Sequence, residues 1–166
     1  MKPSTLAAVA ALLAALGLAG HAAAQNATQI SHSRDGASCP RCNLFQADFS
    51  NLELKDRNFA GARLRQADMS AAVMNHTTMA GADLRDVNAY GAVFTGVSFA
   101  GANMTNASFV GTYLEGANFR GANLSGVNFS GAEMDRAMGL TQNQLNQACG
   151  DDSTTLPRGL RLRSCG

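Results

Sequence analysis

A five-residue period constrains the fold of this chain more than any other feature of its sequence. Large apolar residues, here called centres, recur at every fifth position from Leu44 to Met134, and only Ala89 among these nineteen positions is small. Two places before each centre the residue is mostly Ala or Val, and Gly often stands two places after it. A period of five fits neither an α-helix, which repeats at about 3.6 residues, nor a flat strand, which repeats at about two.

Two inward positions followed by a corner predict a short strand and a turn in each five-residue unit. Gly suits the corner because it adopts a positive φ without steric cost. Four units would close a square coil of about 20 residues, and successive coils would pair like parallel strands about 4.8 Å apart. The sequence therefore predicts an all-β solenoid over residues 42–136.

The units ADFSN, ARLRQ, ADLRD, ANFRG and ANLSG resemble those of the pentapeptide-repeat family, whose pattern is A-(D/N)-L-x-x. The resemblance covers Cys42 to Arg136 without an insertion. It implies a right-handed quadrilateral parallel β-helix, and it implies no single function.

The residues after the repeats have the pattern of a cap. Thr141 and Gln144 are spaced as the two members of a capping box, and Leu140 and Leu145 are spaced as a hydrophobic staple. We therefore predict a short C-terminal capping helix from Gln142 to Cys149.

This helix and the tail after it make up residues 137–166. Before the repeats, residues 25–41 are polar and include Cys39 of a C-x-x-C motif that Cys42 completes, and we predict a flexible lead-in there.

Residues 1–24 have the pattern of a secretory signal peptide. Lys2 provides the positive charge, Leu6 to Leu18 is apolar, and Ala22 to Ala24 provides an A-x-A cleavage site. The apolar run is short for a transmembrane helix, although an uncleaved anchor is an alternative. We expect an exported bacterial protein, periplasmic or secreted, with no membrane insertion after cleavage.

All four cysteines, Cys39, Cys42, Cys149 and Cys165, lie in the exported part, and an oxidising compartment favours disulfides. We predict the local pairs Cys39–Cys42 and Cys149–Cys165, one at each end of the rod. A redox-active C-x-x-C is the alternative for the first pair. Because a zinc site would need both pairs close together, we expect no metal and no cofactor.

The charges do not predict nucleic-acid binding. The chain has 13 Lys and Arg against 12 Asp and Glu, and loss of Lys2 would leave the mature protein near neutrality. His76 lies 20 residues after Asp56, so the two should share one edge of the coil. No nucleophile is recognisably placed beside them, and we predict no catalytic residue.

One outward strip is apolar where other units carry polar residues. Tyr90 and Val110 occupy one outward column, and Val73, Val93 and Tyr113 occupy the adjoining column. These five residues are called the apolar strip, and Glu53 and Glu133 bound it. An apolar patch with a polar rim predicts an interface, although β-branched and aromatic residues also suit an ordinary strand surface.

The sequence thus predicts a non-enzymatic structural or protein-interaction module outside the cytoplasm, which binds an unknown protein partner or itself, as in a homodimer, through a face of the rod. One alternative is a thiol–disulfide redox factor that uses Cys39 and Cys42. The family resemblance provides a second alternative, a topoisomerase-binding mimic of DNA. The export signal and the near-neutral charge disfavour that alternative.

Overall fold

The computed structural model describes residues 25–166, so the predicted signal peptide at 1–24 lies outside the described residues. Helix α1 (Ala27–Arg34) comes first, and the repeats follow it. Helix α2 (Gln142–Leu145) and two short strands, β1 (Cys149–Gly150) and β2 (Arg163–Ser164), complete the described chain. Among these residues, no helix combines the length and the hydropathy needed to cross a membrane.

The repeats wind into a parallel β-helix with 20 residues in each coil. Parallel bridges join residues 20 apart at every unit from Asn43↔Arg63 to Asn118↔Met138. The backbone bonds are short, as where the Leu44 amide donates to the Arg63 carbonyl at 2.9 Å. Each bridging residue immediately precedes a centre, so a coil contains four five-residue units, as the period predicts.

The interior is filled by the centres and by the small residues two places before them. All nineteen centres, from Leu44 to Met134, are buried. Phenylalanines of adjacent units and coils pack against one another, and the rings of Phe99 and Phe119 stack with their centroids 5.3 Å apart. Thr77 and Thr112 are buried polar exceptions, and their hydroxyl groups donate to the Leu54 and Phe109 carbonyls, respectively. These two threonine hydroxyl groups are therefore paired, as an apolar interior requires.

Every corner from Gln46 to Gly131 has a positive φ. Ten of these corners are glycines with φ between +63° and +70°, and eight are other residues with φ between +53° and +59°. Asn and Asp tolerate this left-handed conformation better than most residues, but Ala71 is an aliphatic residue at φ +53°. The corner conformation is thus a property of the coil, and glycine is one of several residues that adopt it.

The prediction of a flexible lead-in over residues 25–41 is wrong where α1 forms. The Asn26 side chain accepts a hydrogen bond from the Gln29 amide and so caps the helix. Ile30 packs against the core and Ser33 is buried. The parallel pairing also begins earlier than residue 42, because the Cys39 amide donates to the Asn58 carbonyl at 2.8 Å.

Side chains of α1 bind backbone groups at the open edge of the first coil. The Asn43 amide donates to Gln29 Oε1 at 2.7 Å, and the Arg34 guanidinium donates to the Asp48 carbonyl. An unpaired strand edge invites pairing with another chain. Helix α1 therefore occupies an edge that would otherwise be exposed.

At the other end, α2 is shorter than predicted. It has the predicted capping box, but it ends at Leu145 instead of Cys149. The Cys149 amide donates to the Val127 carbonyl, so the chain returns to the parallel ladder, and β1 then pairs with β2. Gln144 Nε2 donates to the carbonyl oxygens of Phe119 and Ala122, both at 2.9 Å. Helix α2 therefore lies against the last coil.

Candidate interaction surface

The five residues of the apolar strip lie together on one face of the β-helix and its adjoining corner. Parallel bridges connect Glu53 to Val73, Val73 to Val93, Val93 to Tyr113, and Tyr113 to Glu133. The Gly91 amide donates to the Val110 carbonyl at 2.9 Å, which places Val110 one coil beyond Tyr90. The two columns predicted from the sequence are therefore adjacent columns of the structure.

The strip is exposed because its residues occupy outward positions of the unit. Val73 lies between Ala72 and Met74, both buried, and side chains alternate across a strand. Tyr90 is 63% exposed and Tyr113 is 47% exposed, and they are two of the three large apolar residues that are exposed among residues 25–166. Val73, Val93 and Val110 are half-buried. The two tyrosine rings are therefore more exposed than the three valine side chains beside them.

The third exposed residue, Met138, was not singled out from the sequence. It is 56% exposed and bridges Asn118 on a different face. Continuing the five-residue register one step beyond Met134 reaches Gly139, and this step places Met138 outward. Because residue 139 is Gly instead of a large apolar residue, the sequence pattern ends at Met134 and does not mark Met138 as an outward residue.

Charged side chains occur at the two ends of the strip. Lys55 Nζ lies 2.6 Å from Glu53 Oε1, and Arg136 Nη1 lies 2.7 Å from Glu115 Oε1. Both ion pairs are exposed, and such pairs contribute only about 0–1 kcal/mol to stability. These side chains can therefore exchange partners at little cost when another surface approaches.

The face opposite the bridged column of the strip carries mixed charges that neutralise one another. Arg85 makes two hydrogen bonds of 2.7 Å to the Asp83 carboxylate, and Arg65 lies 3.2 Å from Asp86. The hydrogen bonds from Arg85 lower the pKa of Asp83, and partial burial opposes them. Because its arginines are paired internally, this face does not form a strongly basic surface for a polyanion.

The structure joins Cys39 to Cys42 and Cys149 to Cys165, the pairs that the sequence favours. Cys39 is only 5% exposed, and α1 precedes the C-x-x-C motif instead of following it. Between residues 25 and 166, no three His, Cys, Asp or Glu side chains are grouped closely enough to hold a metal ion.

His76 lies over the corner of the next coil. A Cβ atom built on Gly96 would come within 2.6 Å of His76 Nδ1. Asp56, one coil below, has the same positive-φ corner conformation as His76. The imidazole therefore covers the glycine corner of the next coil.

Comparison with known proteins agrees with this architecture. The family model for pentapeptide repeats matches eight copies, over residues 53–88 and 102–137. The crystal structure of HetL, a pentapeptide repeat protein involved in heterocyst differentiation regulation from the cyanobacterium Nostoc sp. strain PCC 7120, is 33% identical with a TM-score of 0.59. The match covers 63% of this chain and 50% of HetL, so this chain spans about half the length of HetL.

Two further structures are similar at lower TM-scores. A pentapeptide repeat protein from the Arabidopsis thaliana thylakoid lumen is 25% identical, over 66% of this chain and 61% of its own, with a TM-score of 0.29. QnrB1, a plasmid-mediated fluoroquinolone resistance protein, is 20% identical over 76% of this chain and 79% of its own, with a TM-score of 0.37. No protein of curated function matches the sequence.

The matched repeats, the 20-residue parallel ladder and the likeness to HetL agree with one another. The chain belongs to the pentapeptide-repeat family.

Proposed function

We propose that this protein is a non-enzymatic interaction module outside the cytoplasm, which binds a protein through the apolar strip. The observation that carries the proposal is the exposure of Tyr90 and Tyr113 beside three half-buried valines on a regular face. Pentapeptide-repeat proteins are typically interaction modules without enzymatic activity. The right-handed winding of the coil and the role of α2 as its cap are parts of the same proposal.

A rigid strip is suited to binding for two physical reasons. Tyr has a large apolar ring and a hydroxyl group that forms hydrogen bonds, and it is enriched among residues that dominate interface energies. The backbone below the strip is held by the parallel ladder, for example by the bond from the Tyr113 amide to the Ala92 carbonyl at 3.0 Å. Little backbone entropy is therefore lost when a partner binds.

The two disulfides support a location outside the cytoplasm. Disulfides persist in oxidising compartments and are rare in the cytosol. Mass spectrometry of the protein, alkylated as cells are lysed, should find all four cysteines unmodified by the reagent. Two or more alkylated cysteines would contradict this location. Redox activity is less well supported, because Cys39 is buried and the C-x-x-C motif follows α1 instead of beginning a helix.

A photo-crosslinking amino acid at position 90 tests the interaction function. Position 100 provides the matched control, because Ala100 occupies the same slot of its unit on a different corner of the coil. In the cells that make the protein, we expect a crosslinked protein adduct from position 90 and none from position 100. Equal adducts from both positions, or no adduct from position 90, would refute binding through the strip.

A further inference from the structure

We infer that the apolar strip binds a second copy of this chain, with the two rods antiparallel and their strips face to face. The inference rests on the proposed function, because it names the partner of the same surface. It follows from the order of residues along the strip and from the charges at its two ends.

The side chains along the strip are complementary in size to those of a second strip that runs in the opposite direction. The bridged column reads Glu53, Val73, Val93, Tyr113 and Glu133. A two-fold axis at Val93, perpendicular to the rods, places Val73 opposite Tyr113 of the second copy. A large side chain then faces a small, half-buried one on both sides of the axis. With parallel rods, Tyr113 would meet Tyr113 and Val73 would meet Val73, which leaves a gap beside the valines.

The corner residues beside the strip show the same complementarity in charge. Lys55 and Asp56 occupy the corner beside Glu53, and Asp135 and Arg136 occupy the corresponding slots beside Glu133, four coils later. Inversion places Lys55 opposite Asp135 of the second copy, and Asp56 opposite Arg136. The axis repeats both pairs, so each end of the dimer gains two contacts of opposite charge.

One like-charge approach opposes these contacts. Inversion brings Glu53 near Glu133 of the second copy, but Lys55 lies beside Glu53 and already contacts it at 2.6 Å. Between the charged ends, the column next to the strip contains Asn75, Thr95 and Glu115. Inversion places Glu115 opposite the neutral Asn75 of the second copy, and Glu115 already contacts Arg136 at 2.7 Å. The pairs of opposite charge at the two ends therefore fix the register of the two rods.

The size of the strip predicts a weak dimer. Its bridged apolar residues span three coils, or about 10 Å along the rod. A standard interface buries about 800 Å² on each partner, and the strip supplies only part of that area. We therefore expect self-association that rises with concentration, as measured by sedimentation velocity on the purified protein with both disulfides formed.

Tyr90→Arg should weaken this association about tenfold or more, because it places a positive charge next to the two-fold axis. Ala100→Arg is the matched control and should associate like the wild type. Both slots accept Arg, since Arg65, Arg85 and Arg120 occupy the same position of their units. A circular dichroism spectrum and a thermal midpoint close to those of the wild type show that each variant is folded.

A charge exchange tests the antiparallel arrangement. Lys55→Glu and Asp135→Lys should each weaken association several-fold, because each places like charges opposite one another. The double variant should restore association, since opposite charges again face each other across the axis. Arg120→Glu, on a corner that does not adjoin the strip, is the control and should have no effect.

The outcomes separate this inference from the proposed function. A wild-type protein that is monomeric at every concentration overturns the second copy as partner, while crosslinking at position 90 still decides whether the strip binds another protein. Dimerisation that Tyr90→Arg leaves unchanged overturns the strip as the dimer face. Dimerisation that Tyr90→Arg abolishes, but that the double charge exchange does not restore, overturns the antiparallel arrangement.

Discussion

Gly139→Ala should destabilise the protein much more than Gly101→Ala, although both glycines have a similar backbone conformation. Their φ angles are +73° and +66°. A Cβ atom at position 139 would lie 2.7 Å from the Arg120 amide nitrogen and 2.9 Å from Arg120 Cα, whereas a Cβ atom at position 101 would meet nothing within 4 Å. The two substitutions therefore share a conformational cost and differ in packing.

The magnitudes follow from this difference. A left-handed conformation costs an L-residue about 1–2 kcal/mol, and the loss of glycine's freedom in the unfolded chain offsets about 0.4–1 kcal/mol of that. Gly101→Ala should thus cost about 1 kcal/mol. Gly139→Ala should cost an additional 1–3 kcal/mol or so, typical of overpacking, because the obstructing atoms include backbone that cannot rotate away.

Urea denaturation followed by circular dichroism measures both costs on one scale. We expect the denaturation midpoint to fall for both variants, with the larger fall for Gly139→Ala and with similar slopes. If the two variants lose the same free energy of unfolding, to within about 0.5 kcal/mol, the close approach of the two coils at Arg120 does not limit the residue at position 139.

Three further predictions concern the ends and the charged face. Gln144→Ala should lower the free energy of unfolding by about 1–2 kcal/mol in urea titrations, because it removes the capping box and two bonds to the last coil. The double variant Cys149→Ser/Cys165→Ser should lose about 3 kcal/mol in the same assay. The pKa of Asp83 is lowered from 3.8, so its bonds to Arg85 stabilise the fold fully above that pH and are lost as pH falls through the lower folded value. Asp83→Asn should therefore lose less thermal stability on acidification below about pH 4 than the wild type.

The repeat fold could be predicted from the sequence because the signal recurs. A single apolar residue such as Phe94 indicates little, but nineteen positions in one register define which side chains point inward. The same register predicted which outward residues share a column, so Val73, Val93 and Tyr113 could be placed together from the sequence alone. The repeat pattern does not indicate what the strip binds, so the binding partner stays a prediction.

The two ends were harder to predict because their signals occur only once. Helix α1 places one large apolar residue, Ile30, against the core. Its polar contacts with the first coil include a bond that Gln29 accepts from the Asn43 amide and a bond that Arg34 donates to the Asp48 carbonyl. A polar stretch of this kind resembles a disordered one until the edge that it binds is known. Helix α2 was predicted too long because Cys149 returns to the ladder, a long-range contact that local capping patterns do not show.

The corners could be predicted only in part. Glycine corners such as Gly101 are recognisable from the sequence, but Gln46, Asp56 and His76 adopt the same positive φ. Their conformation is imposed by the neighbouring coils, so residue type alone does not reveal it.

The 20-residue ladder also determines which insertions the molecule can accept. Adding 20 residues within the repeats lengthens the rod by one coil and returns every later side chain to its own column. Adding five residues instead turns all later units by a quarter of the circumference. Placed between Val93 and Tyr113, such an insertion would move Tyr113 onto the next face and divide the strip. Insertions of whole 20-residue coils therefore keep the residues of each surface column together. Shorter insertions would distribute those residues over different faces of the rod.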